Sequence, residues 1–169
     1  KMESALENIL ISGYKDDMIS FLKNNPNYFD EAIQLALSDN QPFAWRSAWL
    51  LFSCMENNDQ RLTKYLQKFL DVIELKKDGH QREILKILMK MKLKSKHEGI
   101  LFNICMNIWE QLGKSPSVRI TALKCIVDIA EKYDELADEI TFLTQDHYLE
   151  SLSPGVRRSV KQMISKFAE

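Results

Sequence analysis

Four arginines recur along the chain at nearly equal spacing, and this recurrence limits the fold more than any other feature. The separations are 36, 37 and 38 residues, between Arg46, Arg82, Arg119 and Arg157. Apolar residues dominate the positions one before, three after and six after each arginine: Trp45, Trp49, Phe52, Gln81, Leu85, Leu88, Val118, Ala122, Cys125, Val156, Val160 and Met163. These offsets return about every 3.6 residues, so they predict one apolar stripe on an α-helix with the arginine beside it. Four copies in phase predict a repeat protein.

Start signals precede the four predicted helices. The pairs Ser115-Pro116 and Ser153-Pro154 each offer a hydroxyl N-cap followed by a proline at the first helical position. In the other two copies, Pro42 opens the first helix and Asp78 is predicted to cap the second. The pattern therefore places a helix start a few residues before every arginine.

Partner helices are predicted between the arginine-bearing ones. They cover residues 29–37, 61–75, 100–112 and 134–152. Gly79 and Gly113 fall where one helix should stop before the next begins. Short loops between helices of about 12–18 residues require antiparallel neighbours.

One stretch carries a family resemblance. Residues 116–123 read PSVRITAL, and their P-x-V-R-x-x-A core resembles HEAT repeats, which are the antiparallel helix pairs of α-solenoids. The resemblance covers residues 28–169 and is weakest in the second copy, where Gln81 and Lys86 replace the usual apolar residues. It implies an all-α fold, a right-handed α-solenoid of about four helix pairs with a helical amino-terminal cap.

The chain is expected to form a single domain over residues 1–169. Its parts are a cap at 2–24 and repeats at about 28–57, 60–95, 97–132 and 134–169. Stacks of this kind present an extended curved surface rather than one deep pocket, which suits binding another chain.

The repeated arginine has two interpretations. A cation in the first turn of a helix opposes the helix dipole at a cost of a few tenths of a kcal/mol, so a compensating partner is expected. The HEAT resemblance implies an acidic partner in the neighbouring repeat, which would make a ladder, with Asp39 and Asp78 as the nearest candidates for Arg46 and Arg82. The alternative is a row of arginines, including Arg119 and Arg157, that faces a ligand.

Trp45 and Trp49 lie four residues apart and therefore share a helix face. Trp45 occupies a core position of the repeat, so burial is expected for it. Trp49 takes the slot that Ala122 holds in the third copy. It either fills space against the amino-terminal helices or protrudes as an aromatic contact for a partner, because tryptophan and arginine are enriched at binding hot spots.

Charge is unevenly distributed although the net charge is only −1. Residues 76–98 carry a local charge of +5 and residues 128–150 a local charge of −7. The candidate binding lysines within the basic part are Lys86, Lys90 and Lys94, with Lys92 and Lys96 beside them. This stretch is either a soluble helix end whose cations complement the dipole, or a patch for phosphates or an acidic protein surface.

No motif points to catalysis, a cofactor or a metal. The three histidines and three cysteines show no metal-ligand spacing, and neither glycine-rich nucleotide-binding signature occurs. Cys54, Cys105 and Cys125 are an odd number within apolar helical runs, which predicts buried thiols in a reducing compartment. The sequence therefore predicts a protein that is not an enzyme and has no cofactor.

These patterns favour a small cytoplasmic scaffold that binds a protein or peptide. Acidic residues within the first 24 positions argue against a secretory signal, and no apolar run is long enough to cross a membrane. The alternative is a nucleic-acid-binding solenoid that uses the basic residues 86–96. The acidic part at 128–150 would repel a duplex, which favours the protein-binding interpretation.

Overall fold

The computed structural model describes residues 2–168, and these residues form eleven α-helices and five short 3₁₀ segments with no β-strand. The α-helices are α1 Ala5–Ser12, α2 Lys15–Asn24, α3 Phe29–Leu37, α4 Phe43–Cys54, α5 Leu66–Val72, α6 Asp78–Met89, α7 Ser95–Glu110, α8 Pro116–Ala130, α9 Ala137–Ile140, α10 Asp146–Leu149 and α11 Pro154–Ser165. The 3₁₀ segments are Pro26–Tyr28, Gln60–Tyr65, Ile73–Leu75, Asp134–Leu136 and Thr141–Thr144. The predicted all-α fold class is confirmed.

Contacts between residues divide the chain after Leu93 into two compact units. In the first unit, α4 is the central helix, and α1, α2, α3 and α6 pack against it. In the second unit, α7 packs along α8, and α9 and α11 also contact α8. Within residues 2–168, no helix has both the length and the apolar character needed to cross a membrane.

Small side chains let the neighbouring helices approach α4 closely. Ala44, Ser47 and Ala48 are completely buried, as are Leu50 and Leu51. The hydroxyl of Ser47 donates a 2.6 Å hydrogen bond to the carbonyl of Ala32 in α3, so this buried polar group is satisfied. Each buried leucine contributes about 1.5–3 kcal/mol through removal from water.

The start signals of α8 and α11 act as predicted. The hydroxyl of Ser115 accepts a hydrogen bond from the backbone N–H of Val118, and the hydroxyl of Ser153 accepts one from Val156, each at 3.4 Å. A cap of this kind stabilises a helix by about 1 kcal/mol. The Ser-Pro pair therefore located both helix starts from sequence alone.

The predicted continuous helix at 134–152 is wrong. This stretch forms four short pieces, and side chains from α7 and α8 bind two of its carbonyls. The indole Nε1 of Trp109 donates to the carbonyl of Leu143 at 3.1 Å, and Nη2 of Arg119 donates to that of Tyr148 at 2.8 Å. The backbone is thus satisfied without a regular helix.

The predicted helix at 61–75 is also interrupted, by 3₁₀ segments on both sides of α5. At its carboxyl end, the side-chain amide of Gln81 donates to the carbonyl of Ile73 at 3.0 Å. Gln81 is 1% exposed. The polar residue that makes the second repeat atypical in sequence therefore satisfies a carbonyl of the preceding helical segment.

Helix boundaries differ from the expectation in two further places. Asp78 is the first residue of α6 and Lys77 is its N-cap, so the predicted cap is off by one position. Gly79 lies inside the first turn of α6 rather than at a helix end. Helix α7 begins at Ser95, five residues before the predicted start, so it includes His97.

Candidate functional site

Trp45 is 48% exposed, which contradicts the expected burial. Its indole covers the backbone of Gly79 on α6. A Cβ built on Gly79 would lie 2.4 Å from Cζ2 and 2.8 Å from Cε2 of the ring. Only a residue without a side chain fits below the ring, so one side of the indole is fixed by contact while the rest of it faces outward.

An open groove of about 540 Å³ runs beside this ring between α2, α4 and α6 of the first unit. We call it the tryptophan groove. Its lining residues are Lys15, Met18, Trp45, Arg46, Trp49, Arg82, Glu83 and Lys86. Four of the residues predicted as binding candidates thus meet in one place: Arg46, Trp49, Arg82 and Lys86.

Trp49 is half-buried beside α2 and also accessible in the groove. Met18 of α2 lines the groove beside it. The ammonium of Lys15 lies 5.5 Å from the centre of a Trp49 ring, a distance at which a cation is attracted to the ring face. The side chain therefore fills space against an amino-terminal helix and still presents a surface in the groove.

Cations outnumber carboxylates in the groove by four to one. Arg46 is exposed, and its Nη1 donates to the carbonyl of Leu10 at 2.8 Å, which fixes the direction of the guanidinium. Glu83 is 1% exposed and is the one carboxylate in the lining. Its Oε1 lies 3.2 Å from Nη2 of Arg82, and its Oε2 lies 3.2 Å from Nζ of Lys86. The exposed rim consequently carries an excess of positive charge.

The remaining predicted lysines lie outside the groove. Lys90 extends over the ring of Phe52, 5.2 Å from its centre, and donates to the carbonyl of Met55 at 2.9 Å. Lys86 lies over the same ring at 4.6 Å, so these two lysines lie on the same side of α6. Lys94 is exposed and is the N-cap of α7, in the second unit.

Arg119 is completely buried in the second unit, where no ligand can approach it. Its Nε donates to the carbonyl of Trp109 at 2.9 Å, and its Nη2 donates to the carbonyl of Tyr148 at 2.8 Å. The guanidinium carbon lies 4.4 Å from the centre of a Trp109 ring. Burial lowers the pKa of Arg119 below its ordinary range, and these acceptors compensate for lost hydration.

The predicted ladder of arginine–carboxylate pairs is wrong for most of the row. Arg46, Arg119 and Arg157 donate to main-chain carbonyls, Arg157 through Nε to Leu152 at 2.8 Å. Arg157 itself is exposed. Asp39, a predicted partner of Arg46, instead accepts from Lys76 at 2.6 Å. A carbonyl near a helix end satisfies a guanidinium as a carboxylate would, and sequence spacing cannot distinguish the two.

The sequence did not single out three lining residues of the groove: Lys15, Met18 and Glu83. The first two belong to the amino-terminal helices, which carry no copy of the repeat. Gly79 was a signal for the groove, although the sequence placed it at a helix end. It lies on α6 against Trp45 of α4, and because it has no side chain it makes room for the indole.

The cysteines and the other potential metal ligands form no cluster within residues 2–168. Cys105 and Cys125 are buried as predicted, whereas Cys54 is half-buried, and burial raises the pKa of its thiol. All three are free thiols. Within residues 2–168, no group of three or more histidine, cysteine, aspartate or glutamate side chains is placed to hold a metal ion.

Comparison with known proteins adds one result. The family model of the HEAT repeat domain matches residues 2–167, which is nearly the whole chain. No curated protein and no solved structure matches the chain. The match extends over both compact units, and it agrees with the antiparallel helix pairs and the repeated arginine. The chain belongs to the HEAT repeat domain family.

Proposed function

We propose that this protein is an interaction module that binds an acidic segment of another protein in the tryptophan groove. HEAT repeats generally mediate protein–protein interactions, and the family is typically non-catalytic. The observation that carries the proposal is the composition of the groove. Its lining contains two accessible tryptophans and four cations but only one carboxylate, that of Glu83.

This composition favours a partner that has both negative charge and an apolar side chain. Tryptophan supplies a large contact area at little entropic cost, and it is among the residues most often found at binding hot spots. Arg46 and Lys15 lie at the edge of the groove, where carboxylates of a bound segment would pair with them. Such pairs increase the rate of association and select against basic partners.

Preorganisation supports the same conclusion. Trp45 is held against Gly79, and the guanidinium of Arg46 is held by the carbonyl of Leu10. A partner therefore meets side chains that have already lost most of their freedom. Binding then costs less conformational entropy than it would on a mobile surface.

We assign the module to the cytoplasm and to a role without catalysis. The free thiols of Cys54, Cys105 and Cys125 suit a reducing compartment. In the groove, Glu83 pairs with Arg82 and Lys86 at 3.2 Å each. Its side chain therefore holds these two cations in place.

Binding of defined probes to the full chain tests the proposal. The probes are labelled acidic peptides with a central phenylalanine, the same peptides with serine in its place, and a labelled single-stranded DNA. We expect fluorescence anisotropy to detect the acidic aromatic peptide most strongly. Binding should weaken about tenfold, equivalent to roughly 1.4 kcal/mol, in Arg46→Ala.

Arg157→Ala is the matched control, since Arg157 is an exposed arginine at the equivalent repeat position outside the groove. Peptide binding that is equally sensitive to both substitutions would contradict the proposal. Binding of DNA alone, lost in Lys92→Ala and Lys96→Ala, would instead support the nucleic-acid function predicted for the basic stretch.

A further inference from the structure

Phe142 is an exposed aromatic side chain inside the most acidic part of the chain. It lies on the 3₁₀ segment Thr141–Thr144 and is 61% exposed. Asp138, Glu139 and Asp146 are exposed within four residues of it. We call residues 138–146 the Phe142 segment. An exposed aromatic ring flanked in sequence by exposed carboxylates is the chemical complement of a groove lined by tryptophans and cations.

The Phe142 segment has a fixed backbone. Ile140, two residues before the ring, is completely buried, and Leu143, directly after it, is 2% exposed, so both point inward. The carbonyl of Leu143 accepts the 3.1 Å hydrogen bond from Nε1 of Trp109. Phe142 is therefore presented outward by a segment tied to the core of the second unit, and its exposure is a property of the folded structure.

We propose that the tryptophan groove of one copy binds the Phe142 segment of a second copy of this chain. This inference rests on the proposed function and names the partner of the same groove. Phe142 contacts the rings of Trp45 and Trp49, and the neighbouring carboxylates pair with the cations of the rim. Aromatic pairs and desolvated charge pairs together give affinity and fix the orientation of the bound segment.

The charge distribution of the whole chain fits this partner. Residues 76–98 carry +5 and residues 128–150 carry −7, although the net charge is only −1. Copies therefore attract each other when the basic part of one meets the acidic part of another, without strong overall repulsion. Because the groove and the Phe142 segment are different surfaces, the contact is head-to-tail and builds either a closed ring or an open chain of copies.

Sedimentation velocity of the full chain over a wide concentration range tests self-association. We expect the wild type to form species heavier than the monomer as the concentration rises, and added salt to reverse this because the charges are exposed. Phe142→Ser and Arg46→Glu should each weaken association about tenfold or more. Leu75→Ser, which removes a side chain that is 78% exposed elsewhere, should leave it unchanged.

Mixing the two defective variants gives the sharper result. Phe142→Ser retains an intact groove, and Arg46→Glu retains an intact Phe142 segment, so one productive contact remains between them. We expect the mixture to form a 1:1 complex that neither variant forms alone. Circular dichroism and thermal melting of each variant confirm folding, and Trp49→Ala serves as a second groove variant.

The outcomes separate this inference from the proposed function. A wild type that stays monomeric, while the acidic aromatic peptides still bind the groove, overturns the inference and retains the function. Self-association that persists in Phe142→Ser and Arg46→Glu also overturns it, because another surface would then be responsible. Loss of both self-association and peptide binding contradicts the two together.

Discussion

The indole of Trp45 in α4 covers Gly79 in α6 so closely that a Cβ on the glycine would lie 2.4 Å from ring atom Cζ2. Real Cβ atoms do not approach another atom so closely, so the two positions constrain each other. Glycine weakens a helix, yet here it allows an aromatic ring to lie against the helix backbone. One wall of the tryptophan groove depends on this contact.

Gly79→Ala is expected to disturb the groove in spite of the better helix propensity of alanine. The ring of Trp45 must move away from the new methyl group, so the gain of about 1 kcal/mol that alanine usually brings to a helix is lost or reversed. The free energy of unfolding from urea titration and the tryptophan emission spectrum report the two effects.

Gly99→Ala is the matched control for this change. Gly99 also lies in a helix, α7, but a Cβ there meets no other atom within 4 Å. Alanine should stabilise the protein at this position by up to about 1 kcal/mol. Equal effects at Gly79 and Gly99 would show that the ring contact does not limit residue 79.

Arg119→Leu should destabilise the second unit strongly. The change leaves the buried carbonyl of Trp109 and the partly buried carbonyl of Tyr148 without their donors, and each unsatisfied group costs up to about 1–3 kcal/mol. We expect a total loss of about 3 kcal/mol in the free energy of unfolding. Arg119→Lys should recover only part of it, since an ammonium cannot reproduce the planar set of donors. A loss below about 0.5 kcal/mol, as for a surface change, would contradict this role.

Lys76→Met should destabilise the end of α3. The Lys76 side chain is 3% exposed, and its ammonium donates to the carbonyls of Leu37 at 3.0 Å and Ser38 at 2.8 Å. Loss of these bonds is expected to cost about 1–3 kcal/mol in thermal or urea unfolding. Asp39→Asn is the comparison, because Asp39 is 87% exposed and a surface ion pair contributes little. A larger loss of stability in Asp39→Asn than in Lys76→Met would show that the ion pair, and not the bonds to the two carbonyls, is the main contribution of Lys76.

His80 should make the first unit less stable as the pH falls below about 6.5. Burial lowers the pKa of His80, and the charge of Lys76 acts in the same direction, whereas the hydrogen bond to Ala36 and the charge of Asp39 oppose the shift. The unfolded chain therefore takes up a proton before the folded chain does. Stability is complete above the unfolded pKa and is lost as the pH falls through the interval down to the folded pKa.

Urea titrations at pH 7.5 and pH 5.5 measure this effect (roughly one unit on each side of the ordinary histidine pKa). His80→Gln should flatten the dependence, because glutamine does not titrate and can still donate to the carbonyl of Ala36. His147→Gln is the matched control at an exposed histidine and should keep the wild-type slope. If the free energy of unfolding of His80→Gln still depends on pH as in the wild type, groups other than His80 cause the dependence.

Local pattern predicted the regular helices well. The boundaries of α3 agree with the predicted 29–37, and the Ser-Pro pairs located α8 and α11. These signals are local, since an apolar stripe and a cap involve residues within a few turns of one another. The stretch 134–152 failed because its backbone is satisfied by Trp109 and Arg119, which are distant in sequence.

The groove was predictable only in part, for the same reason. Sequence placed Arg46 and Trp49 on one helix and Arg82 on another, and the spacing of the repeat suggested that these helices are neighbours. It did not show that Trp45 would leave the core, because this outcome depends on the absence of a side chain at Gly79. Contacts between helices, unlike helix periodicity, have no simple signature along the chain.

The two donors that interrupt residues 134–152 also imply an order of events in folding. Trp109 and Arg119 belong to α7 and α8, which contact each other through residues close in sequence. We expect the carbonyls of Leu143 and Tyr148 to gain their partners only after this helix pair has formed, because both donors lie on it. The α7–α8 pair would then act as a template, and amide protons of residues 134–152 should exchange with solvent faster than those of α8.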